Sequence, residues 1–199
     1  MKTRFFAAMV AVLFLCGSIF AQEPEKEKMM EDPMMKAWME FATPGEPHKA
    51  MQNLVGTWDT TVKSYYPDPA KPTETKGTST FTSVMDGRYI TEKAEGNMPD
   101  FGPFNGMGVY GYDNLQKKYV SSWVDNMGTG IMTGEGTSDD GGKTINWTGT
   151  SSDPTAGKVQ TYRYTMHMMS QDQYHFEMYG PGTDGKEMKM MEITYNRKK

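Results

Sequence analysis

The stretch Leu54-Val55-Gly56-Thr57-Trp58-Asp59 decides how the rest of the chain is read. It follows a short run of helical character and opens the first of about ten strand-like segments. Gly56 lets the backbone turn sharply out of a helix, because glycine alone adopts unusual backbone angles at little cost. Trp58 then places a large apolar ring where the chain enters its first strand, a position suited to plugging the narrow end of a barrel.

From Val55 onward the texture is Thr, Tyr, Val and Gly in short runs. Strands are expected near 56–66, 74–84, 88–95, 104–112, 118–125, 129–138, 144–151, 158–169, 173–179 and 187–197. The breaks carry turn chemistry: Asp86-Gly87, Asp113-Asn114, Asp139-Asp140-Gly141-Gly142, Asp153-Pro154, Asp172 and Asp184-Gly185. Regular spacing with no helix between strands predicts an all-β fold, an antiparallel up-and-down meander closed into a barrel. A flat sandwich is the structural alternative.

Alternation is clearest in the eighth and ninth strands. Tyr162, Tyr164, Met166 and Met168 share one face, with Tyr174, Phe176 and Met178 on the neighbour. Arg163, Thr165, His167, His175 and Glu177 occupy the other. The period of two assigns the first set inward and the second outward. The first strand agrees, with Trp58 and Val62 in and Asp59 and Lys63 out. In the fifth strand Tyr119 and Trp123 compete with Val120 and Val124, and the pattern alone leaves both open.

Ahead of the strands, Lys2 and Arg4, the apolar run Phe5–Phe20 and Ala21 read as a secretory signal peptide over 1–21, which implies a periplasmic or extracellular protein. The apolar run is short for a membrane span, and no other segment approaches one. Cys16 is the only cysteine and falls within the leader; the bulky Leu15 before it argues against lipid attachment. The remaining chain has no disulfide, so its core must hold it together unaided. Of 21 basic and 25 acidic side chains, cleavage would remove Lys2 and Arg4, leaving 19 against 25. An acidic protein without a basic stripe is a poor match for nucleic acid. Residues 22–43 comprise a charged linker and a methionine-rich helix started by Asp32-Pro33, with Met34, Met35, Trp38, Met39, Phe41 and Ala42 on one face. So short a helix is expected to dock on the barrel or on a partner. A second short helix, about Pro47 to Leu54, leads into the barrel domain, 44–199.

The glycine two residues before a tryptophan, at a helix-to-strand junction, resembles the G-x-W signature of lipocalins and the wider calycin barrels. From about Thr43 to Lys199 the chain resembles a bacterial exported family known as domain of unknown function 1579. The runs that carry the resemblance are T-P-G-E-P-H-K (43–49), L-V-G-T-W-D (54–59), K-G-T-S-T-F (76–81), G-Y-D-N (111–114), K-Y-V-S-S-W-V-D-N-M (118–127) and G-K-E-M-K-M-M-E-I-T-Y-N-R-K-K (185–199). The resemblance implies a lipocalin-like barrel and brings no assigned activity. Within calycins a basic residue late in the last strand lies over that tryptophan, and Arg197 fits the position, so Gly56, Trp58 and Arg197 are expected to form a structural latch.

Other constellations have bland competitors. Gly106-Met107-Gly108-Val109-Tyr110-Gly111 matches G-x-G-x-x-G by letter, but a turn follows it rather than the helix a pyrophosphate needs. His167 and His175 would face each other if Ser170–Asp172 formed a three-residue loop, a spacing open to zinc or copper; both lie on the outward face, which is also how an ordinary hydrophilic surface looks. That outward assignment also weakens a nitrobindin-like haem reading. Of 20 methionines, Met29, Met30, Met34, Met35 and Met39 lie in the N-terminal arm and Met188, Met190 and Met191 in the last strand. Thioethers suit Cu(I), and they equally suit an adaptable cavity wall. No metal or other cofactor is expected. There is no cysteine nucleophile and no G-x-S-x-G elbow, so no catalytic residue is named. Glu92 shares a strand face with Arg88, Ile90 and Ala94, and Glu192 with Met188 and Met190, so carboxylates and a guanidinium are expected inside. Asp125-Asn126 is open between a rim turn and a polar contact at the mouth.

The expectation is a barrel that binds a small, largely apolar ligand without covalent chemistry. Its lining would be Trp58, Arg88, Glu92, Trp123, Tyr164, Phe176, Met178 and Met191. A solidly filled barrel acting as a cell-envelope interaction module is the alternative. Methionine-based copper binding, or an enzyme built on an inward carboxylate, is a third reading.

Overall fold

The computed structural model describes residues 32–66, 68–182 and 185–199. The leader, Cys16, Met29, Met30 and Asp184 lie outside the described residues. The chain divides into two units, residues 1–40 and 41–199. The described part of the first is most of helix α1 (Pro33–Ala42), whose first turn is capped by Asp32: its Oδ1 accepts from the Met34 and Met35 amides at 2.8 and 3.3 Å. No described helix is long and apolar enough to cross a membrane.

In the second unit, α2 (Glu46–Met51) and a 3-10 turn (Gln52–Leu54) lead into ten strands. These are β1 (Gly56–Ser64), β2 (Thr73–Val84), β3 (Tyr89–Met98), β4 (Gly102–Asp113), β5 (Lys118–Asp125), β6 (Met132–Thr137), β7 (Thr144–Asp153), β8 (Lys158–Ser170), β9 (Gln173–Pro181) and β10 (Glu187–Arg197). Each pairs antiparallel with the next, and β10 returns to β1, so the meander is a closed barrel rather than a sandwich. The closing seam runs from Trp58↔Arg197 to Ser64↔Met191.

Trp58 is fully buried and donates its indole N–H to the Leu54 carbonyl at 2.8 Å, which ties β1 to the turn before it. The Arg197 guanidinium lies 4.0 Å from the Trp58 ring centroid, and its Nη1, Nη2 and Nε donate to the carbonyls of Val55 (2.7 Å), Asn53 (2.7 Å) and Gln171 (2.9 Å). Gly56 makes this possible twice over. Its φ of 132° suits glycine, and a Cβ there would sit 2.6 Å from Arg197 Nη1.

The half of the barrel near this seam, closed over by the short helix, is packed with rings. Tyr174 stacks on Tyr195 at 3.9 Å and meets Trp58 edge-on at 5.1 Å; Phe81 lies 6.0 Å from Tyr174; Trp147 stacks on Tyr164 at 5.6 Å. His48 and Met51 of α2 are buried with them. His48 Nδ1 accepts from the Gly45 amide at 3.0 Å, and burial holds its pKa below the usual imidazole value. Tyr119 is buried and Val120 is not, which settles β5 in favour of Tyr119 and Trp123 facing in.

Truncating Trp58→Ala removes this ring and the bond to Leu54, and should cost about 3–5 kcal/mol in chemical denaturation. An unchanged unfolding midpoint would contradict the packing described.

Candidate functional site

The inner wall has two distinct halves. Where they meet sits a buried carboxyl: Glu92, on β3, is 3 % exposed. Its Oε1 accepts from the Ser79 hydroxyl of β2 and its Oε2 from the Tyr110 hydroxyl of β4 at 2.6 Å. Alternation places all three on the inner face, two strands flanking the third. Among the described residues no cation pairs with Glu92. Burial therefore raises its pKa, while the two donated hydrogen bonds pull the other way. Burial, and then the neighbouring Glu92 charge, drives the Tyr110 phenol well above its usual range. The Tyr174 hydroxyl joins this cluster beside that of Tyr195 without a well-formed hydrogen bond. The Trp147 indole N–H is likewise buried and unbonded.

Toward the other end the inner wall opens. Val62, Trp123, Met132, Phe176, Met178 and Met191 are only half-buried, although register places each on the inner face. A side chain on the inside of a closed barrel meets water only through its mouth. Trp123 lies flat on the wall, where a Cβ at Gly106 would come within 2.3 Å of its ring. Its indole N–H donates to Asp125 Oδ2 at 2.9 Å. Asp125-Asn126 forms the rim turn: the Asn126 side chain donates to the Pro103 carbonyl at 2.8 Å and accepts from the Asn105 amide at 2.9 Å. The mouth is thus an aromatic and thioether funnel with a polar rim, above a floor that contains Tyr110 and the buried acid.

Of the residues expected to line one cavity, Trp123, Phe176, Met178 and Met191 face this open half, whereas Trp58 is buried in the closed half and Tyr164 is buried where the halves meet, 5.7 Å from Phe176. Arg88 is not inside. Strand β3 begins one residue later, so Arg88 ends the turn after β2, donating Nε to the Ala42 carbonyl and Nη1 to that of Met85, both at 3.1 Å. Glu192 is also outside. A register shift between Lys189 and Met191 turns Met191 inward and leaves Glu192 bonded to Lys189 at 3.0 Å on the outer face. His167 and His175 do oppose each other, across a two-residue loop with a bulge rather than a three-residue loop. His167 Nδ1 is 2.7 Å from Thr144 Oγ1, and His175 Nε2 is 3.5 Å from Thr194 Oγ1. No group of three or more His, Cys, Asp or Glu side chains suited to a metal occurs among the described residues. Ser79 and Tyr110, the partners of Glu92, were missed from the sequence; inward alternation from Phe81 and from Tyr112 would have found them.

A closed ten-stranded antiparallel meander, with an indole at its base and one end covered by a short helix, defines a calycin-like barrel. The chain belongs to the family described as "Protein of unknown function (DUF1579)", whose model matches residues 43–197. No curated protein matches it. Among solved structures it is similar to Rv2717c from M. tuberculosis, at 16 % identity and TM-score 0.55, covering 79 % of this chain and 100 % of that one. It is also similar to the S-type phycobiliprotein lyase CPES from Guillardia theta, at 14 % identity and TM-score 0.54, covering 81 % and 97 %. At such identities the likeness concerns the fold.

The raised pKa of Glu92 makes a signed prediction. A carboxyl whose folded pKa lies above its ordinary 4.5 contributes stability that is complete below that value and is lost as pH rises through the folded pKa. Glu92→Gln keeps the shape and cannot ionise. Its melting temperature should gain on that of the wild type as pH rises from 4 to 8; parallel curves for the two proteins would refute the assignment.

Proposed function

We propose that the protein is an exported carrier that holds a small, largely apolar molecule in the open half of its barrel, without covalent chemistry. The observation that carries this is the half-buried inner wall of Trp123, Met132, Phe176, Met178 and Met191 above a solid aromatic floor. A side-chain set of this kind offers burial at about 25 cal/mol per Å² together with thioethers that adapt to an irregular guest. One similar barrel, a phycobiliprotein lyase, is in keeping with it. Tyr110, half-buried and bonded to Glu92, is the polar group placed to orient the guest. Export rests on the leader over residues 1–21, and the mature protein should begin at Gln22 when its N-terminus is sequenced from a cell-envelope or culture fraction; a chain starting at Met1 there would count against cleavage.

A second reading has its own support. The closed half is filled by Trp58, Phe81, Tyr119, Trp147, Tyr174 and Tyr195, which is how a barrel that binds nothing and acts through its surface would also be packed. Titration of the purified protein with 1-anilinonaphthalene-8-sulfonate distinguishes the two. The carrier reading expects saturable binding with energy transfer from tryptophan, weakened about threefold to tenfold in Trp123→Ala, the range for one lost aromatic contact. Absence of saturable binding, or equal affinity in that variant, favours the filled barrel.

A further inference from the structure

The turn between β6 and β7 is an ordered structure with a shape of its own. The Ser138 hydroxyl donates to Asp140 Oδ1 at 2.9 Å and accepts from the Gly142 amide at 2.8 Å; the Thr144 amide donates to Asp140 Oδ1 at 2.7 Å. These bonds, led by that of the Thr144 amide, hold the Asp140 carboxyl at about 2. They commit its charge to the turn. Gly142 (φ 88°) brings the backbone against α2, where a Cβ would come within 2.7 Å of the Ala50 Cβ. Beside this contact, helix and turn part to leave a groove of about 150 Å³ on the closed-end side of the barrel.

Two kinds of surface meet in the groove. Its wall includes Leu54, Ile145 and Met166, with Tyr174 among the lining groups. The polar side chains of its lining are those of Lys143, Asn53 and His167, apart from the Tyr174 hydroxyl. The side chains of Lys143 and Asn53 have no hydrogen bond or ion pair among the described residues, and His167 is held through Nδ1 to Thr144, which leaves its Nε2 uncommitted. No Asp or Glu lines the groove. Exposed Lys143 and Asn53, together with His167, line the groove alongside apolar residues, a residue set that suits one negative charge on an apolar body. An amine would meet Lys143 with like charge. A phosphate would leave the apolar walls unused and lacks the guanidinium forks that recognise it. A groove of about 150 Å³ has room for a body about the size of one benzene ring.

We propose that this groove is a second binding site, separate from the open mouth, for a small monocarboxylate whose apolar part is about the size of one benzene ring. The carboxylate meets Lys143 and Asn53, and the ring lies on Ile145 and Met166.

Sodium benzoate is the probe, added to the full-length ¹⁵N-labelled protein and followed by amide shifts, with benzyl alcohol and sodium chloride as comparisons. Benzoate should move the Ala50, Gly141 and Gly142 signals saturably, and neither comparison should do so at the same concentration. Lys143→Ala, an exposed change that leaves the fold intact, should weaken benzoate about fivefold, the upper range for an exposed ion pair. The proposal is overturned if benzyl alcohol binds as well, if Lys143→Ala binds benzoate as tightly, or if no saturable shift occurs. Shifts confined to Trp123 and Met132 overturn it as well, and would place the acid in the open mouth instead. A protein that binds benzoate at the groove, but whose binding of the anilinonaphthalene dye is unchanged by Trp123→Ala, loses the carrier reading and keeps this one.

Discussion

Closing a ten-stranded meander requires the last strand to find the first, and the stack of Arg197 on Trp58 supplies the specificity of that meeting. Arg197 Nη1 reaches the Val55 carbonyl across 142 residues of sequence. A loop of that length carries a large closure entropy, which no single surface contact offsets. Here one guanidinium satisfies three carbonyls and lies over an indole that is itself bonded to the preceding turn. Planarity lets it do both at once, and a lysine would give up the fork and the stacking face. Without this fastening β1 and β10 would be two exposed edges, and the inner wall would be one face of an open sheet.

From the seam follows the unequal filling of the interior. Rings contributed by β1, β2, β9 and β10 crowd the closed end, and those of β5, β7 and β8 extend the layer around the barrel. Glycines on the inner wall leave room for rings to lie flat: a Cβ at Gly136 would come within 2.8 Å of Trp147, as one at Gly106 would of Trp123. The same device has opposite results at the two ends. Below, the ring over Gly136 is buried among others; above, the ring over Gly106 faces the mouth. Glu92 lies between these regions, held by a serine and a tyrosine, with no cation among the described residues to balance it. A carboxyl in such a place costs stability when ionised. That cost is the reason to look for a polar role at the floor of the funnel.

Much of the fold was legible because β8 and β9 are long and alternate cleanly, and because Asp-Gly and related pairs mark the turns. The site was less so, for local reasons. Arg88 was placed inside because parity with Ile90 and Glu92 was carried one residue too far, into a turn in which Met85 and Asp86 both have positive φ. Glu192 was misplaced by a bulge, which shifts parity without leaving a mark in composition. The partners of Glu92 lie 13 and 18 residues away on strands rich in Thr and Gly, where alternation is weak. The groove beside α2 belongs to no strand pattern, since it arises from the approach of a turn to a helix.

The central claim is that the barrel is solid at its fastened end and open at the other, and the four tryptophans report on it directly. Labelling with 5-fluorotryptophan and adding dissolved oxygen as a paramagnetic probe measures how far solvent reaches each ring. Strong relaxation enhancement is expected at Trp123 and little at Trp58 and Trp147. Enhancement at Trp58 or Trp147 equal to that at Trp123 would contradict it.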